Sequence, residues 1–428
     1  MLTFVREKPI TNFNNINMKK LSIIVAALCL MTNLSKAQEV YSGIEELDEW
    51  TKQIKVNCSQ SIGYPCNQNI HLKGFYQWFY GNNLQIFSMN NAGDPFTDKP
   101  FNMSSQKFEK EVIQWFAPLY GFEKDKVWGI VTMSGTDGND HGIYFGRKCL
   151  VQDNPDKGAP IMYVSDEAHY SNFRLADLQQ VECRLVKSDH LGRMIPEELE
   201  KALDPSRPCL IVYAMGSTFK GAIDDQKTLN AILDRVYPDK KMVYRHIDAA
   251  LFGGYLPFTE NKDMVSCQVQ PFNSISVSGH KFFSIDSPCG LFICGSDVYD
   301  KQTDMQVEYL NNSMRMISCS RSAKDPLKFW WMIHKHGAKG WTAEAKQIVE
   351  MSDYLYNEIK KIGYPVYRNE HSNTIMFKRP SEALRNKYTL ANGSDKEWGE
   401  LSHIVVMQHV TKEMVDEFVT DLKAEAKK

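Results

Sequence analysis

The chain has 428 residues, 43% of them hydrophobic and 24% charged, with 8 Trp and 22 Phe, a composition that excludes a disordered or fibrous protein. A formal net charge of -2, without a basic stripe interleaved with aromatics, gives no footing for a nucleic-acid partner. At this length one large domain and one smaller one are expected, with enough apolar material for a substantial core.

Lys19-Lys20, the apolar run from Leu21 to Met31 and the small-residue stretch Ser35-Lys36-Ala37 follow one another in the order of a secretory signal peptide. Residues 1–37 are therefore expected to be an N-terminal extension and signal peptide, with Met18 as an alternative start. The apolar run is too short to span a bilayer, which takes ~20 residues. Used as a signal, it would send the chain to the periplasm or beyond; unused, it would leave the chain cytoplasmic. Residues 38–95 form a connecting segment, in which Tyr41 to Val56 has helical periodicity and Ile62-Gly63-Tyr64-Pro65 reads as a turn.

Lys107 to Tyr120 carries Phe108, Val112, Ile113, Trp115 and Phe116 at helical spacing. From there seven short β-branched runs alternate with stretches long enough for helices. They are Trp128–Met133, Ile161–Ser165, Cys183–Val186, Leu210–Ala214, Met242–Ile247, Ser274–Val277 and Gly290–Cys294. That alternation predicts an α/β domain with a mostly parallel sheet over 96–325. Beyond Pro326 a long amphipathic stretch (Leu327 to Ile359), an apolar β run (Thr374–Phe377), a strand (His403–Met407) and a closing helix (Thr411–Ala426) predict a smaller α+β domain over 326–428.

Five polar strings end predicted strands, where an open α/β sheet binds its ligands. Ser134-Gly135-Thr136-Asp137-Gly138-Asn139 follows the first strand and enters a helix, so its backbone N–H groups suit an anion. It matches neither nucleotide fingerprint, G-x-x-x-x-G-K nor G-x-G-x-x-G. His169 ends the second strand and offers a flat imidazole for stacking. Gly216-Ser217-Thr218-Phe219-Lys220-Gly221 offers hydroxyls. Asp248, in His246-Ile247-Asp248-Ala249-Ala250, can hold a proton on an aromatic ring nitrogen, and Ala250 leaves room for a ring to lie flat. Lys281, in Ser278-Gly279-His280-Lys281, can form a Schiff base with an aldehyde cofactor. Each string alone is ambiguous; their shared order and placement point to one site. His334-Lys335-His336 is the nearest approach to a metal motif, and two histidines alone do not make one, so no metal is expected.

With these strings in place the chain resembles the group II decarboxylases that depend on pyridoxal 5'-phosphate (PLP), and within them the bacterial histidine decarboxylases and plant serine decarboxylases. Asn90-Asn91-Ala92-Gly93-Asp94, Ser134 to Asn139, Ala168-His169-Tyr170-Ser171, Gly221-Ala222-Ile223-Asp224, His246 to Ala250, Ser274 to Lys281, Ser372-Asn373-Thr374 and His403 to Met407 carry the likeness. It implies a fold-type I enzyme acting on an amino acid as a homodimer, with active sites at the subunit interface. It further implies Lys281 as the Schiff-base lysine, Asp248 as the ring-nitrogen partner and His169 as the stacking residue. Thr136 and His280 become phosphate-side contacts and Ser217 or Thr218 a neighbour of the ring hydroxyl, with Ser134, Gly135 and Ser278 as further cofactor-binding candidates. Histidine is the first expected substrate, serine or an aromatic amino acid the alternative, and an exported PLP-binding protein with weakened catalysis a third reading. The chain departs from the family pattern after the lysine (Phe282 to Ser287), at Asp137, where Glu is commoner, and over Met314 to Ala323, a segment expected to reach the neighbouring subunit's site.

Overall fold

The computed structural model describes residues 44–310 and 312–427, so the signal-peptide expectation over 1–37 lies outside the described residues. The chain divides into two units, 1–59 and 60–428. In the first, helix α1 (Glu45–Gln60) begins four residues later than its periodicity suggests, with Glu45, Glu46 and Asp48 in the first turn complementing the helix dipole.

In the second unit, α2 (Lys73–Gly81) leads to a short strand β1 (Asn90–Ala92) and to α3 (Gln106–Phe116), whose last predicted turn tightens into a 3-10 turn over Ala117–Tyr120. The main sheet follows: β2 (Val127–Thr132), β3 (Ile161–Ser165), β4 (Glu182–Val186), β5 (Cys209–Ala214), β6 (Val243–Asp248), β7 (Ser274–Ser278) and β8 (Gly290–Gly295). Their order in space is β2-β8-β7-β6-β5-β3-β4, and only β8 runs against its neighbours. β2, β5 and β6 are buried at every position, which is why they read as continuous apolar runs.

Side-chain alternation assigns each residue to a face. Val127, Val131, Ile161, Tyr163, Ile211, Ile247 and Ile293 face one core, with Val112 and Phe116 of α3. Trp128, Ile130, Met162, Val164, Leu210 and Phe292 face the other, with residues of α4 (Gly135–Asp153) and α5 (Tyr170–Leu178). A one-residue register slip would exchange the two cores entirely. This sheet is covered on both faces, as a parallel sheet requires.

Past β8 come the hairpin β9 (Met305–Val307) and β10 (Asn312–Met314), then β11 (Ser320–Ser322), which pairs antiparallel with β1. The long amphipathic stretch is two helices, α6 (Lys324–Lys335) and α7 (Gly337–Lys361), because the backbone breaks at His336 and Gly337, where φ is +64°. A four-stranded antiparallel sheet closes the chain: β12 (Val366–Arg368), β13 (Thr374–Lys378), β14 (Ala391–Asp395) and β15 (Gly399–Val405), ordered β12-β13-β15-β14. It packs through Ile375, Phe377 and Ile404 on Leu355 and Ile359 of α7 and on Phe418 of α8 (Lys412–Glu425). No helix among the described residues is long and apolar enough to cross a membrane.

Asp224 shows how the strand ends are held. It is 1% exposed and accepts the backbone N–H groups of Met194 (2.8 Å) and Ala214 (2.7 Å). Asp224→Ala leaves both buried donors without a partner and is expected to cost about 2 kcal/mol of folding stability. Urea denaturation of the two proteins measures this; a loss below about 0.5 kcal/mol would mean that water replaces the carboxylate.

Candidate active site

The carboxyl ends of β2, β3, β5, β6 and β7 share one edge of the main sheet, and antiparallel β8 starts there. A cavity of about 550 Å³ opens at this edge. The eleven residues expected from the sequence to contact a cofactor all line it: Ser134, Gly135, Thr136, His169, Ser217, Thr218, Asp248, Ala250, Ser278, His280 and Lys281. Convergence of five separate strand ends on one cavity is what the parallel arrangement makes possible.

The β2–α4 turn forms the first wall. Ser134 is the N-cap of α4, its Oγ accepting the Asp137 N–H (3.2 Å), while Asp137 Oδ2 accepts the Met133 N–H (2.9 Å). One orphan donor of the helix start is thereby satisfied, along with the N–H of the residue before the cap. A Cβ at Gly135 would lie 2.7 Å from Ser278 Oγ and 3.2 Å from Ala250 Cβ, so only glycine lets this turn approach β6 and β7. The shorter Asp137 is met by Ser318, whose Oγ donates to Oδ1 at 2.6 Å. The departing Met314–Ala323 segment is thus tied to the turn of its own chain.

Asp248 ends β6, 8% exposed. Its Oδ2 accepts the side-chain amides of Asn139 (2.8 Å) and Asn172 (3.0 Å), and its Oδ1 only a long bond from the Ala250 N–H (3.3 Å). A carboxylate has about four lone-pair sites, so Oδ1 keeps capacity for a donor in the cavity. Behind Asn139 stands a relay. His246 Nε2 lies 3.0 Å from Asn139 Oδ1, His246 Nδ1 lies 2.8 Å from Ser274 Oγ, and Tyr244 donates to Ser274 Oγ at 2.9 Å. Burial pulls the His246 imidazole down to about 4, so it is neutral at pH 7 with one donor and one acceptor nitrogen. Asn139 offers only a carbonyl oxygen to Nε2, which assigns the proton to Nε2. Each group then donates toward Asp248, from Tyr244 through Ser274, His246 and Asn139, and the carboxylate sits in a fixed orientation.

His169 caps α5, its Nδ1 2.7 Å from Ser171 Oγ and accepting the Ser171 N–H at 3.3 Å, which leaves its proton on Nε2. Burial lowers its basicity, against the opposing charge of Asp248. Ser217 Oγ accepts the Ala222 N–H (3.1 Å), so the hydroxyl loop is braced internally. Gly216 has φ +94° and no room for a Cβ, which would sit 2.6 Å from the Phe252 ring. Lys220, from the same string, points elsewhere: it is buried and pairs with Asp395 (2.7 Å) and Glu167 (3.0 Å), fastening the loop to β14. His280 Nδ1 lies 3.0 Å from the Cys289 carbonyl.

Lys281 is reachable from the cavity, yet protein surrounds its amine. Desolvation lowers its pKa from the usual 10.5, with the Asp248 charge opposing. A lysine more easily neutral is a better nucleophile toward an aldehyde.

The cavity also contains residues that sequence reasoning missed. Tyr64 and Pro65 come from the turn after α1, Pro288 from the loop before β8, and Ala391, Asn392 and His403 from the small sheet. His403 is buried, its Nδ1 2.8 Å from the Phe219 carbonyl and its ring stacked on Phe219. Asn172, three residues after His169, was detectable only once α5 was known to lie beside β6.

A PLP molecule fits this donor set. Asp248 Oδ1 can hold a ring N–H, the glycine-cleared turn at a helix N-terminus can take the phosphate, and Lys281 can meet the aldehyde. Comparison with known proteins agrees. Residues 148–378 match the family model described as the pyridoxal-dependent decarboxylase conserved domain. Serine decarboxylase 1 of Oryza sativa subsp. japonica is 33% identical over 84% of this chain and 71% of its own length. Histidine decarboxylase of Solanum lycopersicum is 32% identical over 80% of both chains. The crystal structure of L-methionine decarboxylase from Streptomyces sp. 590 with L-methionine methyl ester superposes with a TM-score of 0.77 at 19% identity, covering 89% of this chain and 94% of that one. The fold is therefore fold type I, and the chain belongs to the pyridoxal-dependent decarboxylase family, whose cofactor is PLP and whose reaction is the decarboxylation of an amino acid.

Proposed function

We propose that this protein converts L-histidine to histamine and CO2, with Lys281 anchoring PLP, Asp248 paired to its ring nitrogen and His169 against its ring. The observation that carries the reading is the convergence of these three side chains on one cavity. Held by these residues, PLP would supply the electron sink that loss of the α-carboxylate as CO2 requires. Asp248, held by Asn139 and Asn172, keeps a proton on that ring nitrogen. His169 and Ala250, both in the cavity wall, would restrict the ring. Ser134, Gly135, Thr136, Ser278 and His280 provide the phosphate end, and Ser217 or Thr218 the hydroxyl neighbour. Enclosure by protein excludes water and keeps the substrate's carboxylate in one orientation, on which the choice of bond to break depends.

Relatives named for serine and for histidine are similarly distant, so substrate choice rests on the cavity wall. Tyr64, Phe219, Asn392 and His403 line the cavity with aromatic and polar side chains, which support an imidazole more than a hydroxymethyl group. The protein is proposed to work as a homodimer, with the exposed Met305 and Tyr309 of the β9–β10 region available to a second copy; sedimentation of the PLP-loaded protein tests this. Export of the mature chain remains a proposal resting on residues 1–37.

The deciding experiment incubates the PLP-loaded protein with L-histidine, L-serine and aromatic amino acids and measures CO2 and amine. Histamine as the fastest-formed amine is expected. Faster ethanolamine release would replace histidine by serine, and bound-cofactor absorbance without turnover on any amino acid would favour a protein that has lost catalysis. Asp248→Asn tests the ring-nitrogen role. It keeps the shape and removes the charge, so kcat is expected to fall about 10²–10³-fold with the cofactor still bound. An unchanged kcat would remove Asp248 from the reaction.

A further inference from the structure

His71, His336 and Glu344 meet about the junction of α6 and α7, outside the cavity just described. His71 lies two residues before α2, His336 is the residue between α6 and α7, and Glu344 is two turns into α7. Their ligand atoms all lie within 4.8 Å of one another. Glu344 Oε1 is 2.7 Å from His71 Nε2 and 3.3 Å from His336 Nε2, and the two imidazoles stack with centroids 4.8 Å apart and planes 19° from parallel. The second approach is not a hydrogen bond: His336 Nε2 is buried and makes none. One histidine–carboxylate hydrogen bond therefore accounts for His71 and leaves His336 aimed at the same oxygen without satisfaction.

We propose that these three side chains form a binding site for a divalent transition-metal ion of the Zn²⁺ class. Two imidazole nitrogens and one carboxylate oxygen are the donors such an ion takes, whereas Ca²⁺ and Mg²⁺ prefer oxygen alone. Zn–N and Zn–O bonds of about 2.0–2.1 Å in a tetrahedron separate ligand atoms by about 3.4 Å. The His336–Glu344 spacing of 3.3 Å is close to that value, while His71 has to move about 0.7 Å away from Glu344 and turn out of its stack on His336, which its 35% exposed side chain permits. Its exposure also leaves a fourth position for water.

The carboxylate is held from behind. Gln408 Nε2 donates to Glu344 Oε2 (2.9 Å) and to the Phe282 carbonyl (2.6 Å), the residue after Lys281. Such outer partners orient metal ligands. An ion here clips the segment before α2 to the α6–α7 corner and steadies the backbone next to Lys281. The H-x-H pair noted in the sequence contributes only one member. His334 stacks on Trp330 and its Nδ1 lies 2.8 Å from the Trp330 carbonyl.

The test uses the PLP-loaded protein, stripped with a chelator and titrated with Zn²⁺ against a chromophoric competitor. Stoichiometric binding is expected, weakened at least about tenfold by His71→Ala and by Glu344→Gln. The melting temperature should rise with Zn²⁺ in the unaltered protein and not in these variants. Co²⁺ loaded into the unaltered protein should give the absorption of a nitrogen–oxygen site, a readout that does not depend on the variants folding. Absence of stoichiometric binding, binding that the variants leave unchanged, or a cobalt–sulfur charge-transfer band would each overturn the proposal.

Discussion

Lys281→Ala is expected to lower amino-acid decarboxylation by at least about four orders of magnitude, a larger effect than any other single substitution in the cavity. Among the described residues Lys281 is the one lysine lining a site whose other groups can orient a cofactor and cannot bond to its aldehyde. The fold itself should be nearly indifferent. Burial already disfavours the charged amine, so removing it is expected to change stability by no more than about 1 kcal/mol. Loss of turnover with an unchanged melting curve is the predicted pair of results; a variant retaining a tenth of the activity would place the anchor elsewhere. The direction of the pKa shift adds a pH signature. Only the neutral amine attacks an aldehyde, and desolvation lowers the pH at which it becomes available. The rate of PLP capture by the stripped protein should therefore rise with pH and level off below 10.5, the value of an unperturbed lysine. A rate still climbing at that pH would mean an amine in contact with bulk water.

How far such a site can be read without coordinates depends on how local its causes are. The seven strands of the main sheet were legible because each is a short apolar run bounded by polar turns, and their observed limits differ from the expected ones by a residue or so. Eleven cavity residues were legible for the same reason, since strand ends are local features and the parallel topology does the converging. β14 was not. Ala391-Asn392-Gly393-Ser394-Asp395 has little strand propensity and is extended because β15 offers it a partner, Ala391 opposite His403 through Asp395 opposite Gly399. The break between α6 and α7 was hidden because the apolar periodicity continues across Gly337. The support of Asp248 by Asn139, Asn172 and His246 joins residues up to 109 positions apart, which no spacing rule reveals. Lys220 is the converse. It lies within a cofactor-facing string, and its contacts show that it fastens the loop to the small sheet.

The largest expected loss of stability comes from Arg321→Met, at about 3–5 kcal/mol. Arg321 in β11 and Glu109 in α3 form an ion pair whose side chains are both 0% exposed. Glu109 Oε1 accepts the Val131 N–H (2.9 Å) and Arg321 Nε (3.1 Å), while Oε2 accepts Asn91 Nδ2 (2.8 Å) and an Arg321 guanidinium nitrogen (3.0 Å). The guanidinium also donates to the carbonyls of Ser318 (3.0 Å) and Gly93 (3.1 Å). Methionine fills the volume and leaves a buried carboxylate without its counter-charge and two carbonyls without a donor. The cost is that of the stranded charge, not the worth of the pair, and this makes a sharper prediction. Glu109→Met combined with Arg321→Met removes both charges and should lose markedly less stability than Arg321→Met alone. Denaturant midpoints of the three proteins decide it; a double variant as unstable as the single one would show that the hydrogen bonds, not the charge, dominate. The outcome bears on the active site because Arg321 anchors the segment that carries Ser318, and Ser318 holds Asp137 at the start of α4. The Ser318–Asp137 contact joins the Met314–Ala323 stretch to the start of α4: the acid at the helix start is reached by a serine that a buried ion pair keeps in place.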